Sequence, residues 1–170
     1  MKAKFNYIDT TDAANLDNLT EVLIKINRSA AAAKGGRRFS FSALSIAGDR
    51  AGIVGHGFGK ARQVPSAIEK AAKDARKHMM RVPLDADGTI PHEVTGRFCG
   101  AEIRLIPASA GTGIIAGSSV RTVCEQAGVR NILTKSFGST NPINLIKATF
   151  HAFAQLKTAQ EISDLRGIAL

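Results

Sequence analysis

The sequence predicts an α+β protein made of two small domains, and three observations predict it. Runs with period-two hydrophobic alternation, joined by short turns, fill the first part of the chain, and a helix bracketed by prolines follows them. A short segment rich in charge, glycine and proline then gives way to a second block of mixed strand and helix patterns. With 170 residues, 44% of them hydrophobic, the chain is long enough to bury an ordinary core.

Residues 1 to 20 carry Asp9, Asp12, Asn15, Asp17 and Asn18 with little periodicity, and read as an acidic arm that is mobile or ordered by a partner. From Glu21, the residues Val22, Ile24 and Ile26 alternate with Leu23, Lys25 and Asn27, which predicts a strand with one buried face; a loop is expected from Arg28 to Gly36. Arg38 to Ala43 alternates again, with Phe39 and Phe41 on one face. Leu44 and Ile46 then change parity, which implies a bulge or burial on both faces. Gly48 to Gly52 is turn chemistry, and Ile53-Val54 opens a third strand that breaks into Gly55, Gly57 and Gly59. In the helix that follows, Pro65 suits the first turn and Pro83 lies just past the end. Its apolar stripe is Ile68, Ala71, Ala72, Ala75 and Met79. Residues 21–83 thus form a domain of three antiparallel strands and a helix.

Residues 84–91 read as a linker and 92–156 as the second domain. There Arg97 to Ile106 has strand character and Pro107 ends it. Ser118 or Ser119 is expected to cap a helix that turns Val120, Val123, Cys124 and Ala127 inward and closes at Gly128. Ile132 to Lys135 suits a strand. Asn141 caps a last helix with Ile143, Ile146, Phe150 and Phe153 along one stripe, and 157–170 is a short mixed tail.

The net charge of +9 and pI near 10.0 favour a polyanionic partner, nucleic acid before membrane. That excess is local. Residues 25–81 hold 13 Lys and Arg against 3 Asp and Glu, whereas the flanks are near balance. Lys70, Lys73 and Lys77 form a row typical of a solvated helix face, and the mainly alanine side opposite them does not suit membrane insertion. No stretch approaches the roughly 18 apolar residues of a membrane span, and the first residues lack an export signal, so a cytoplasmic protein is expected. Cys99 and Cys124, far apart and without Cys-x-x-Cys spacing, are expected to be reduced core thiols. The four histidines lack metal-ligand spacing, and Asp85 and Asp87 look like turn residues. No catalytic group, metal site or cofactor is predicted.

Three glycine-rich stretches invite a phosphate. Gly111 to Ala116 satisfies Gly-x-Gly-x-x-Ala, but Pro107 separates it from the strand, no acid follows about 20 residues on, and the first domain is not a parallel α/β half. Gly55 to Lys60 fails the P-loop spacing at Val54 and Ala61. It remains a slim strand end at which Gly55, Gly57 and Gly59 would admit sugar-phosphate close to His56, Phe58, Lys60 and Arg62; Phe58 either stacks on a base or caps the core. Around the first loop, Arg28, Lys34, Arg37 and Arg38 bracket Gly35 and Gly36. Charge, amide donors and lack of bulk are what a phosphate backbone requires.

Several motifs in register carry a family resemblance: Asn27-Arg28; Lys34-Gly35-Gly36-Arg37 followed by Phe39 to Leu44; Val54 to Ala61; Pro107-Ala108-Ser109 before Gly111 to Gly117; and Phe137 to Asn144. Over Leu19 to Leu156 the chain resembles the fifth protein of the bacterial small ribosomal subunit. That resemblance implies a first domain like a double-stranded-RNA-binding module and a second α/β domain with a left-handed βαβ crossover. It implies a non-catalytic constituent of the small subunit that binds ribosomal RNA near the decoding region and messenger entry side and influences accuracy, beside the fourth and eighth small-subunit proteins. No membrane and no small-molecule substrate is implied. Carried over, the RNA-contacting set is Asn27, Arg28, Lys34 to Arg38 and Gly55 to Lys60 with Arg62. Arg121, Ser139, Thr140 and Asn141 are further protein or RNA contacts. One departure stands out: Ser29-Ala30-Ala31-Ala32-Ala33 replaces the basic and bulkier residues usual there, so backbone and flanking cations must carry the loop's contacts.

Overall fold

The structure is a computed structural model and describes residues 7–8 and 18–167. Two sheets share one core. The first is antiparallel, in the order β1 (Thr20–Ala33), β2 (Gly36–Gly48), β3 (Ile53–Ala61), β4 (Met79–Arg81), with α1 (Val64–Lys77) across one face. The second contains β5 (Val94–Phe98), β6 (Ala101–Pro107), β7 (Ile114–Ile115) and β8 (Ile132–Gly138), in the order β5-β6-β8-β7. Its helices are α2 (Ser118–Ala127), α3 (Pro142–Phe153) and α4 (Ala159–Arg166).

The expected loop from Arg28 to Gly36 is instead the outer half of a long hairpin. β1 and β2 stay in register out to Ala33 opposite Gly36, and Lys34-Gly35 is a two-residue turn. Gly36, at φ 146°, holds a backbone geometry that a side chain would strain. Alanine has little strand propensity of its own, so this ladder depends on its partner strand and on the turn that fixes the register. The parity change in β2 comes from burial on both faces, since residues 43 to 48 are all buried. The register shift itself lies in β1, between Leu23 and Lys25.

Gly55, Gly57 and Gly59 do not break β3; they let α1 lie directly on it. A Cβ at these positions would come within 2.4, 2.0 and 2.3 Å of the carbonyl oxygens of Ala75, Ala71 and Ala67. Those alanines are fully buried. The helix ends at Lys77, two residues before the expected Met79, because Met79–Arg81 pairs with Ile53–Gly55 as a fourth strand. Tyr7 bridges Met80, and Ile8 N–H donates to Met79 O at 2.8 Å, so two arm residues extend this edge. The rest of the acidic arm, up to Asp17, lies outside the described residues.

Residues 84–91 pack rather than hang loose. Asp85 N–H bonds Thr89 O at 2.9 Å, and Ile90 is buried in a cluster that joins Leu44, Ile46 and Val54 of the first sheet to Ile103, Leu105 and Phe150 of the second half. The expected strand over 97–106 is a hairpin, with Phe98 opposite Ala101 and Cys99-Gly100 as its turn. Cys99 sits at φ 51° and is exposed, so only Cys124 is a core thiol. Burial pushes that thiol up to about 12, with the Glu125 charge adding to the effect.

β7 and β8 are parallel neighbours connected through α2, the βαβ unit of the second sheet. Neither Ser118 nor Ser119 caps α2; the N-cap is Gly117, and Gly128 closes the helix at φ 85° as expected. Asn141 caps α3, its side chain accepting from Ile143 N–H at 3.3 Å. β8 extends beyond Lys135 to Gly138. Past Leu156 the chain forms α4, started by a capping box in which Thr158 and Glu161 satisfy each other's backbone N–H.

Candidate nucleic-acid interface

In an antiparallel ladder, directly opposed residues share a face. The register therefore puts Arg28, Arg37, Phe39 and Phe41 on the α1 side of the hairpin, where Phe41 joins the small apolar cluster around Ala67 and Ala71. Asn27, Arg38, Ser29, Ser40 and Ser42 take the other side. Lys60, opposite Ser42 in β3, continues that second row. Arg37 and Arg38 thus serve opposite faces, and Lys34 and Gly35 form the tip between them.

Every residue from Lys25 to Ser40 is exposed. Arg28 and Phe39 are organised against each other, with the guanidinium carbon 4.8 Å from the ring centroid. Ser29 Oγ donates to Ser40 O at 3.3 Å across the strands. No ion pair joins Arg28, Lys34, Arg37, Arg38, Lys60 or Arg62 to a carboxylate among the described residues. Three other arginines are paired: Arg76 with Glu21 at 2.9 Å, Arg97 with Glu102 at 2.8 Å, and Arg104 with Glu93.

The β3 motif divides. Gly55, Gly57 and Gly59 face α1 and are buried, so their missing side chains admit the helix rather than a ligand. Phe58 is half-buried against the shared core, and its N–H is taken by Asp74 Oδ2 at 2.9 Å. Lys60 Nζ sits 5.5 Å from the Phe58 ring centroid. His56 packs 4.4 Å, centroid to centroid, from Phe150. Burial brings its pKa down to about 4, helped by His78, Lys147 and His151 and opposed by Asp74, so it is neutral near pH 7 and supplies no cation for a phosphate.

Only Lys60 and Arg62 of this motif are exposed cations. They line an open cleft of about 610 Å³ with Ser40, Gln63, Ser66 and Lys70. Lys70 was legible only as one of a solvated row; its place beside the β3 end depends on how α1 docks. Gln63, the N-cap of α1, makes no side-chain cap bond, and the first turn holds no acid. Arg62 and Lys60 therefore stand at a helix start with uncapped amides.

The remaining candidates lie elsewhere. Ser139 N–H bonds Gly100 O at 2.8 Å, and Ser139 Oγ accepts from Asn141 N–H at 3.3 Å. Asn141 is committed to its cap, while Thr140 is exposed. Arg121, on α2, borders a separate cavity with Arg50 and Arg130, which sequence reasoning did not group. The Gly111 loop is closed by Asn131, whose Oδ1 accepts from Gly111 N–H at 3.2 Å and Gly113 N–H at 3.0 Å. Asn131 Nδ2 in turn donates to Asp87 O at 2.9 Å.

The described residues hold no cluster of three or more His, Cys, Asp or Glu suited to a metal, and no helix among them is long and apolar enough to cross a membrane. The chain matches the family described as ribosomal protein S5, N-terminal domain, over residues 19–83, and ribosomal protein S5, C-terminal domain, over residues 96–166. It is 52% identical over 150 residues to small ribosomal subunit protein uS5 of Rhodopirellula baltica, covering 88% of this chain and 84% of the relative. It is 50% identical over 157 residues to the proteins of the same name from Shewanella sp. strain ANA-3 and Shewanella oneidensis, covering 92% of this chain and 93% of each relative. Two sheets with their helices and these two successive matches agree, and the chain belongs to the ribosomal protein S5 family, whose members are structural, non-enzymatic constituents of the small ribosomal subunit.

Proposed function

We propose that the β1–β2 hairpin, with Lys60 and Arg62 beside its base, grips small-subunit ribosomal RNA by phosphate and shape contacts. Cations on both faces of a hairpin projecting past α1's small apolar cluster, without a carboxylate partner among the described residues, carry this reading. A strip about two strands wide, with arginines on both sides and a glycine turn at its tip, suits insertion between RNA segments. The RNA lies near the decoding region and messenger entry side, the protein influences decoding accuracy in the cytoplasm, and the fourth and eighth small-subunit proteins are its neighbours.

Asn27 and Arg38 work on one face, Arg28 and Arg37 on the other, and Lys34 to Gly36 present the tip. Thr140, with Ser139 and Asn141 behind it, serves a protein or RNA neighbour at the β8–α3 junction. A phosphate at the Gly111 loop finds no support, since Asn131 occupies the amides that it would need. Binding to structured small-subunit RNA across a salt series tests the proposal: with about five to eight phosphates neutralised, log affinity falls against log salt with a slope of roughly −4 to −7. A slope near zero overturns it. Retention on small subunits through a high-salt wash supplies the second measure.

A further inference from the structure

The outer edge of β4 is covered by the described chain at one end only. Val82 N–H donates to Gly52 O at 2.7 Å, so along 79–83 the even-numbered residues turn their backbone groups toward β3 and the odd-numbered ones turn theirs outward. Met79 O is taken by Ile8 N–H at 2.8 Å. Arg81 comes next along this edge, and Pro83, which has no N–H, ends it.

Tyr7 and Ile8 already alternate as a strand does. Ile8 packs with Met79 and Ala75 on the α1 side of the sheet, whereas Tyr7, opposite Met80, lies on the other side beside His56, His78 and Phe150. The antiparallel register of Tyr7 with Met80 sets the positions before it: Asn6 falls opposite Arg81, Phe5 opposite Val82 and Lys4 opposite Pro83. Phe5 shares a face with Tyr7, as Val82 does with Met80. On that face a cavity of about 850 Å³ is open, with Met80, Val82, Leu84, Phe153, Ala154 and Leu156 among its walls. Met80, Val82, Phe153 and Leu156 belong to the core that joins the two sheets. The charges in the lining balance, Arg81 and Lys157 against Asp49 and Glu161, so apolar fit rather than charge selects what enters.

We propose that the chain's own first residues are the occupant: Lys4 to Asn6 continue the Tyr7–Ile8 strand along β4, and Phe5 fills the cavity between Val82 and Phe153. Phe5 is the one aromatic residue before Tyr7, and its parity directs it to the cavity; a slip of one residue would present Lys4 or Asn6 there instead. The bonds that follow from the register are Arg81 N–H to Asn6 O, Asn6 N–H to Arg81 O and Lys4 N–H to Pro83 O, a ladder that stops where Pro83 lacks a donor. Two consequences follow for the molecule. The β4 edge is closed by the chain itself against strand addition from another chain. Phe5 also clamps the first sheet onto α3 and the α3–α4 connection, which carry Phe153, Ala154 and Leu156.

The experiment uses the full-length protein without RNA, so its outcome is independent of the hairpin reading. Amide hydrogen exchange is expected to be slower by about tenfold or more at Lys4, Asn6 and Arg81 than at Phe5, whose N–H points away from β4; alternate protection of this kind requires a registered strand. Phe5→Ser is expected to lower the melting temperature by about 4 °C and to remove the protection at Lys4 and Asn6, while Phe5→Leu keeps most of both. Uniformly fast exchange at residues 4 to 6 overturns the proposal. So does Phe5→Ser with the melting temperature and protection of the parent, since the cavity is then filled by something else. Protection at Arg81 that fades on dilution assigns the edge to a second copy of the chain, and the proposal falls in that case too.

Discussion

The Arg28 guanidinium lies over the Phe39 ring, 4.8 Å from its centroid, on the α1 side of the hairpin. Both residues are exposed, so this pairing holds the arginine in place without burying its charge. Phe39→Ala is therefore expected to change stability by under about 1 kcal/mol while weakening RNA binding a few-fold. Arg28→Ala should weaken binding further, and both should exceed Lys73→Ala on the solvated row of α1. Filter binding with denaturant melts checks the ranking. Equal losses from all three would mean diffuse attraction instead of an ordered contact.

Gly57→Ala and Gly35→Ala separate packing from contact. At Gly57 a Cβ would meet Ala71 O at 2.0 Å and Ala75 N at 2.3 Å, so α1 must lift off β3. The expected cost is about 3 kcal/mol or more, read as a lower urea midpoint. Gly35 has no atom within 4 Å of its Cβ position, and Gly35→Ala should leave stability within about 0.5 kcal/mol of the parent. A bulkier tip residue there should instead lower RNA affinity.

Acidification should weaken the fold through His56. Its folded pKa of about 4 is below the 6.5 of an exposed histidine, so the unfolded chain takes up a proton first as pH falls. Stability from this group is complete above pH 6.5, declines between 6.5 and about 4, and is flat below. The total is on the order of 3 kcal/mol. Asp74 from α1, His78 just past its end, and Lys147 and His151 from α3 face the same ring. Denaturant titrations at successive pH values should show this decline reduced in His56→Phe; an identical pH profile for the two proteins would refute the assignment.

Asn131 satisfies three backbone groups from two segments while only 7% exposed. Asn131→Ala leaves the amides of Gly111 and Gly113 without their acceptor and the Asp87 carbonyl without its donor, at a cost of about 2 to 3 kcal/mol. Asn131→Asp restores the acceptor but not the donor and should fall between. Hydrogen exchange at Gly111 and Gly113 should accelerate in Asn131→Ala; unchanged protection would contradict the role given to this side chain.

Local patterns made much of the fold legible. Val22, Ile24 and Ile26 revealed β1, Pro65 the start of α1, Asn141 the cap of α3, and the charge count located the basic hairpin. What stayed hidden was set by contacts across the chain. Ala30 to Ala33 carry no strand signal, and they are strand because Gly36 to Phe39 lie opposite. Gly55, Gly57 and Gly59 look like punctuation until the alanine face of α1 is laid upon them. Cys99 at positive φ gave no warning of a hairpin turn, while Thr158-x-x-Glu161 did spell out a capping box and could have revealed α4. Within the site, Arg28, Lys34, Arg37 and Arg38 could be read from their clustering, but the arginine cavity joins positions that only the folded chain brings together.

The two-residue turn at Lys34-Gly35 makes the hairpin a ruler with coarse gradations. Adding one residue to each strand would advance the tip by about 3.3 Å and rotate every residue beyond the insertion to the opposite face, exchanging Arg37 with Arg38. Adding two to each restores the facing and lengthens the arm by about 6.6 Å. A binding partner that requires particular arginines on particular faces therefore admits changes of length only in that larger step, and side-chain replacement, as in the alanine run, becomes the easier way for the arm to vary.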